Sequence, residues 1–207
     1  SKVLDYKIQD ILRDELDGEG IELLDEVYSE LEVEALEIDK NDLANIADLL
    51  FDKIESKYGR EKAEVVKKFI KKHEIIEKLK DLRGKGINQL KRKYDFLMEL
   101  GEISLDLGET NKAIDNFQEA EKTVEDLNRK ELLIDSLDRL SHAYLHRGAL
   151  KEAKDTVDRG LNLIDKMDHE EGRGKLIRDK GLIKWHRGDL DEAVRLMKKA
   201  LDIFEKN

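Results

Sequence analysis

Apolar side chains along this chain recur at steps of three and four residues, the spacing that gathers them on one face of an α-helix. In residues 3–16 the stripe is Leu4, Ile8, Ile11 and Leu12, and Gly18 and Gly20 end it. Leu24, Tyr28, Leu31, Ala35 and Ile38 predict a second helix that runs to Ile38. Within it Leu31-Glu32-Val33-Glu34-Ala35 alternates as a strand would, but no other segment offers a strand to pair with, so helix is the reading. Asp39 or Asn41 predicts the N-cap of a third helix with Leu43, Ile46, Ala47, Leu50 and Ile54 inward, and Tyr58-Gly59 breaks it. A fourth helix over 60–82 turns Ala63, Val66, Phe69, Ile70, Ile76 and Leu79 inward. Arg83-Gly84-Lys85-Gly86 then marks the clearest boundary, since each glycine costs a helix roughly 1 kcal/mol. The expected organisation is a helical bundle over 1–83 and a second domain over 84–207.

In the second domain the pattern itself repeats. LDLGETNKAIDNFQEA (105–120), LHRGALKEAKDTVDRG (145–160) and WHRGDLDEAVRLMKKA (185–200) place Gly108, Gly148 and Gly188 40 residues apart. Ala113, Ala153 and Ala193 follow, then Phe117, Val157 and Met197, then Ala120, Gly160 and Ala200. A large apolar residue between two small ones on one face is knob-and-hole packing written into sequence. The expected elements are three helical hairpins, 87–107 with 109–127, 131–147 with 149–166, and 175–187 with 189–206, each turning at its glycine. Gly172-Arg173-Gly174-Lys175 reads as an inter-helix loop.

These positions resemble the tetratricopeptide repeat (TPR) family over about residues 94–207. In the first copy Leu97, Leu100, Gly101, Gly108, Ala113, Phe117 and Ala120 fall at the family's W, L, G, turn glycine, A, F and A. The second copy keeps Leu137, Leu140, Tyr144, Gly148 and Ala153, and the third Gly181, Gly188, Ala193 and Ala200. The 40-residue period exceeds the family's usual 34 or so, the closing proline is missing, and Lys180 and Lys184 stand where the third copy should be apolar. Armadillo-like helical pairs remain an alternative. The resemblance implies an all-α fold with a short solenoid. It also implies a non-enzymatic scaffold that binds a peptide or helix, with no cofactor, in a groove lined by the first helix of each pair. Carried over by position, that groove presents Asp95, Met98 and Glu102, then Asp138, His142 and His146, then Arg178, Trp185 and His186. The paired lysines and asparagines with which some family members clamp a terminal carboxylate have no counterpart here. Trp185, the only tryptophan, reads equally as a binding anchor or as core filling for a repeat poor in apolar residues.

Composition adds three constraints. The chain has no cysteine, which removes disulfides and Cys-based zinc sites, and no apolar run long enough for a membrane span. A soluble, cytoplasmic protein is expected. A 43% share of charged residues without proline suits ion-paired helices and suggests a heat-adapted source. The charge is also segregated: residues 1–56 carry 5 basic and 18 acidic side chains, and 57–93 carry 14 and 5. The two blocks either complement one another within the fold or steer a partner, the alternative function being a nucleic-acid-associated regulator using 57–93. Three weaker signals complete the survey. His142 and His146 have the four-residue spacing of two metal ligands but lack the acidic residue of a His-Glu-x-x-His site. Glu15 to Gly20 loosely resembles a calcium loop. The last helix turns out Leu201 and Phe204, which predicts a homodimer or partner contact there.

Overall fold

A computed structural model describes residues 2–84 and 86–206. Among them are ten helices and no strand: α1 (Lys2–Glu15), α2 (Gly20–Leu31), α3 (Leu43–Tyr58), α4 (Arg60–Asp81), α5 (Ile87–Asp106), α6 (Thr110–Leu127), α7 (Lys130–Arg147), α8 (Leu150–Ile164), α9 (Glu170–His186) and α10 (Leu190–Lys206). The all-α class read from the periodicity is therefore the observed one. The chain forms two compact units, Ser1–Leu82 and Arg83–Asn207.

In the first unit α3 and α4 form a hairpin turned at Gly59, whose φ of 88° suits a residue without a Cβ. With α1 and α2 they bury Leu12, Leu24, Val27, Ile46, Leu50, Ile54 and Ala63 in one core. The second helix is shorter than expected: it closes at Leu31, with Glu32 in the left-handed region at φ 55° and the Val33 N–H donating to the Tyr28 carbonyl. That closure lets the following turns fold Ile38 back into the core, where it is fully buried, while Leu36 stays exposed. The third helix takes Asp42 as its N-cap residue, not Asp39 or Asn41. Asp39 and Asp42 instead shape the preceding turn, Asp39 accepting from the Asn41 N–H and Asp42 from the Asp39 N–H. In α4 Ile75 is buried, whereas Ile76 is only half-buried.

The acidic and basic blocks meet inside this unit. Lys62 pairs with Glu15 at 3.6 Å and Lys67 with Asp48 at 2.7 Å, while Lys53, itself one of the few bases of the acidic block, pairs with Glu26 and Glu30 at 3.0 and 2.6 Å. Lys57 pairs with Glu19. Each such surface pair contributes little on its own, roughly 0–1 kcal/mol, yet together they distribute the segregated charge across facing helices. The carboxylates of the calcium-like stretch are part of this: besides Glu15 and Glu19, Asp17 accepts from the Tyr58 hydroxyl at 2.6 Å.

In the second unit the three expected hairpins are α5–α6, α7–α8 and α9–α10, and their turns are copies of one hydrogen-bond pattern. Gly148 N–H donates to the Leu145 carbonyl and Ala149 N–H to Tyr144, at 2.9 Å each. Gly108 and Gly188 repeat the first bond, and Glu109 and Asp189 the second. Gly148 has φ 76°, the left-handed geometry that closes a helix with two backbone bonds, and the glycines 40 residues to either side share it. The extra length over the family's usual period lies in the helices. The hairpins join through two residues between α6 and α7 and five between α8 and α9, whereas α5 alone has 20 residues. Gly172 and Gly174 lie inside α9, not in a loop. A Cβ on Gly172 would stand 2.7 Å from Ile134 Cγ2, and one on Gly174 2.7 Å from Phe204 Cε1. Phe204 thus lays one edge of its ring against its own hairpin and, at 38% exposed, leaves the rest open, as Leu201 does.

Two of the hairpins share a close contact at one repeat position. Gly101, Ser141 and Gly181 are 40 residues apart, as are Phe117, Val157 and Met197. A Cβ on Gly101 would stand 2.6 Å from Cδ1 and Cζ of Phe117, which is itself fully buried, and one on Gly181 would stand 3.3 Å from Met197 Cγ. The bulkiest side chain faces the least bulky partner, so the helices close without a void. Lys180 and Lys184 do not disturb this register. They lay their stems along a small cleft beside Val157 and Ile183, and the Lys184 ammonium reaches Asp189 at 2.9 Å.

Gly101→Ala should cost about 1–3 kcal/mol, because a fixed, buried ring leaves its methyl no room. Denaturant unfolding followed by circular dichroism measures it. In the background of Phe117→Leu the same substitution should cost less, a coupling that a merely helix-favouring alanine would not show.

Candidate functional site

The first helices of the hairpins, α5, α7 and α9, follow one another in the stack, and α7 packs on α9. Turn spacing sets which side chains meet. Glu102 on α5 pairs with Arg139 on α7 at 3.0 Å, and Leu105, Asp106, His142 and His146 join them around an open cleft of about 210 Å³. The rings of His142 and His146, one turn apart, meet edge to face with centroids 4.8 Å apart. His142 is half-buried, and its pKa is lowered, first by burial and then by the neighbouring His146, Arg178 and Arg139, with Asp138 opposing. It therefore presents a neutral imidazole at physiological pH, able to donate from one nitrogen and accept at the other.

Beside this cleft a charged cluster joins α7 to α9. The Arg178 guanidinium donates to Asp138 Oδ1 at 3.0 Å and, through Nε and Nη2, to Asp179 Oδ1 at 3.0 and 2.8 Å. The Ser141 hydroxyl donates to Asp179 Oδ2. Asp179 has no exposed surface and Asp138 almost none. Two buried carboxyls thus share the charge of one arginine. Burial, and then the charge of Asp179, push Asp138 up to about 6, and burial likewise raises Asp179 against the pull of Arg178 and Ser141. The cluster takes up a proton readily and makes the α7–α9 junction polar and geometrically specific.

Among the groove positions expected from the sequence, Glu102, His142 and His146 thus share one cleft with Arg139, and Asp138 and Arg178 pair with each other between α7 and α9. Asp95 is exposed and carries an ion pair with Lys91 on its own helix. Met98 packs toward the hydrophobic core, not into open space. Trp185 and His186 gather with one another, ring centroids 4.9 Å apart, and Trp185 lines a different cleft with Leu190, Ala193, Val194 and Met197 of α10. Trp185 is more than half exposed, so it does not fill the core. Arg139, Ser141, Asp106 and Asp179 escape position-by-position transfer. One signal was available: Asp138-Arg139 and Arg178-Asp179 occupy the same repeat positions with the charges exchanged, as two facing turns that pair would require. Among the described residues no group of three or more His, Asp or Glu side chains is arranged to hold a metal ion. In the first unit a cleft of about 380 Å³ has charged walls that pair among themselves, Lys40 with Asp81 and Lys80 with Glu77.

Comparison with known proteins agrees with this architecture. The model of the tetratricopeptide repeat family matches residues 179–207, the latter part of α9 and the whole of α10, a stretch that carries the two lysines. Two crystal structures are similar over the whole chain. They are the TPR-like repeats of a Podosopora anserina protein described as a putative kinesin light chain, and a point variant of the same repeats. Each is 16% identical and covers 99% of this chain and 96% of its own, with TM-scores of 0.56 and 0.57 respectively. At that identity the likeness is one of fold. No curated protein matches the sequence. The chain is a TPR-like helical repeat protein, and no described helix is long and apolar enough to cross a membrane.

The buried pair has a consequence for pH. Both carboxyls titrate higher in the folded than in the unfolded state, so the folded state binds more protons, and their contribution to stability rises as pH falls through about 6 toward the unfolded value near 4. Asp138→Asn removes the shared negative charge while leaving Arg178 its two bonds to Asp179. Relative to wild type the variant should gain about 1–3 kcal/mol between pH 5 and pH 8, measured by urea unfolding at both. An unchanged difference would place the proton elsewhere.

Proposed function

We propose that this TPR-like array is a non-enzymatic protein-interaction module that holds a peptide or helix along the face shared by α5, α7 and α9. The observation that supports it is the open cleft of Glu102, Leu105, Asp106, Arg139, His142 and His146, beside the Arg178 cluster that ties α7 to α9. Its side chains fit a segment of mixed charge. Arg139 offers a fork of donors, Glu102 and Asp106 accept, and the neutral His142 does either. The face costs little to pre-organise, since Arg178 fixes α7 against α9 before any ligand arrives. TPR-like folds serve widely as protein-binding scaffolds, which favours this class over catalysis. The lysines of the basic stretch are drawn into ion pairs with carboxylates of their own unit, which favours internal charge balance over a phosphate-binding surface.

Peptides selected from a displayed library against the full chain provide the probe. Glu102→Ala with His142→Ala should weaken a selected peptide more than about tenfold, with the far-ultraviolet dichroism unchanged. Equal affinity for the double variant and wild type, across several selected peptides, would remove the groove as the binding face.

A further inference from the structure

We propose that α10 is a self-recognition face that joins two copies of this chain, the two α10 helices running antiparallel with Val194 of one copy against Met197 of the other. Leu190, Val194, Met197 and Leu201 step by four, three and four along one side of α10. Leu190, Val194 and Leu201 are each more than half exposed. Trp185, 56% exposed, stands beside them and lines with Leu190, Val194, Met197 and Lys198 an apolar cleft of about 350 Å³.

The repeat shows what kind of surface this is. Forty residues earlier the positions of Trp185 and Met197 are Leu145 and Val157, 8% and 0% exposed. Eighty residues earlier the positions of Val194 and Met197 are Ile114 and Phe117, 3% and 0% exposed. Those faces lie under the first helix of the following hairpin, for α6 packs on α7 and α8 on α9. At α10 the counterparts of these buried positions stay open or half-open, although Val194 has Lys154 at its place in α8, and Leu190 and Leu201 have Thr110 and Glu121 at theirs in α6. It is a helix-accepting surface.

Charge selects a second copy of the same helix as the occupant. Asp191 and Lys198, seven residues apart, stand on the same flank of the stripe. Antiparallel pairing with Val194 opposite Met197 also sets Leu190 opposite Leu201 and brings Asp191 of each copy beside Lys198 of the other, twice by symmetry. The neighbouring registers are opposed by like charge. With Leu201 opposite Met197, Lys198 meets Lys198; with Val194 opposite Leu190, Asp191 meets Asp191. One register of one helix against itself therefore satisfies both the apolar seam and its flanking charges.

Sedimentation velocity of the full chain, from low to high micromolar concentration, tests this. A dimer is expected, and Val194→Glu should raise its dissociation constant more than about tenfold. Asp191→Lys and Lys198→Asp should each weaken the dimer, and the two combined should restore it to within about threefold of wild type. Dichroism melts of each variant verify folding. A strict monomer at every concentration, an unaffected Val194→Glu dimer, or a combined swap no tighter than either single one would overturn the proposal. Since none of these residues touches the cleft around His142, peptide binding there stands or falls separately.

Discussion

Two helices approach closely where one of them presents a small side chain or none. In the second unit Gly101 receives Phe117 and Gly181 receives Met197 at one repeat position, which the middle hairpin fills with Ser141. The repeat follows from it. A close crossing fixes how each pair of helices is rotated. The turn at the repeat glycine fixes where the pair reverses, and the two together decide which side chains α5, α7 and α9 turn outward. A 40-residue period adds length to the helices without changing the crossing, which is why the hairpins remain TPR-like.

The charged residues divide into two physical classes. Those of the first unit are mostly exposed pairs such as Lys67 with Asp48, individually weak, which reconcile an acidic block with a basic one. Between α7 and α9 the two carboxyls are buried, while Arg178 keeps 38% of its side chain exposed. There Arg178 answers two carboxyls at once, an arrangement that contributes little net stability but tolerates few alternative packings of the two helices. The same cluster lies beside the open cleft of Glu102, Arg139 and His142, so binding surface and internal junction share α7. At the other end, Trp185 and the α10 stripe carry the apolar area that the interior of the stack hides in earlier repeats.

Local order was legible in the sequence because periodicity reports which face of a helix is buried. Ala113, Phe117 and Ala120 declare their helix and its inward side without reference to any partner. Boundaries were less so. Glu32 adopts a left-handed backbone only because Ile38 gains a buried site by turning back, and Gly172 and Gly174 look like a loop until Ile134 and Phe204 are known to press against them. Lys180 and Lys184 stand where the repeat calls for apolar residues, and a residue's name does not say that it will line a cleft while its ammonium, in Lys184, reaches a carboxylate. At the candidate site the sequence named Glu102, Asp138, His142 and Arg178 but not Arg139 or Asp179, which acquire meaning only as partners across a junction.

Spacing along a single chain specifies the helices, their three-fold repetition and the small-against-large contacts. The tertiary structure alone decided that Asp138 and Asp179 share one arginine, that Met98 is drawn toward the core, and that Trp185 stands exposed beside α10. Each of these depends on which residues from distant turns face one another, and burial, charge pairing and exposure are properties of that encounter, not of any residue's place in the chain.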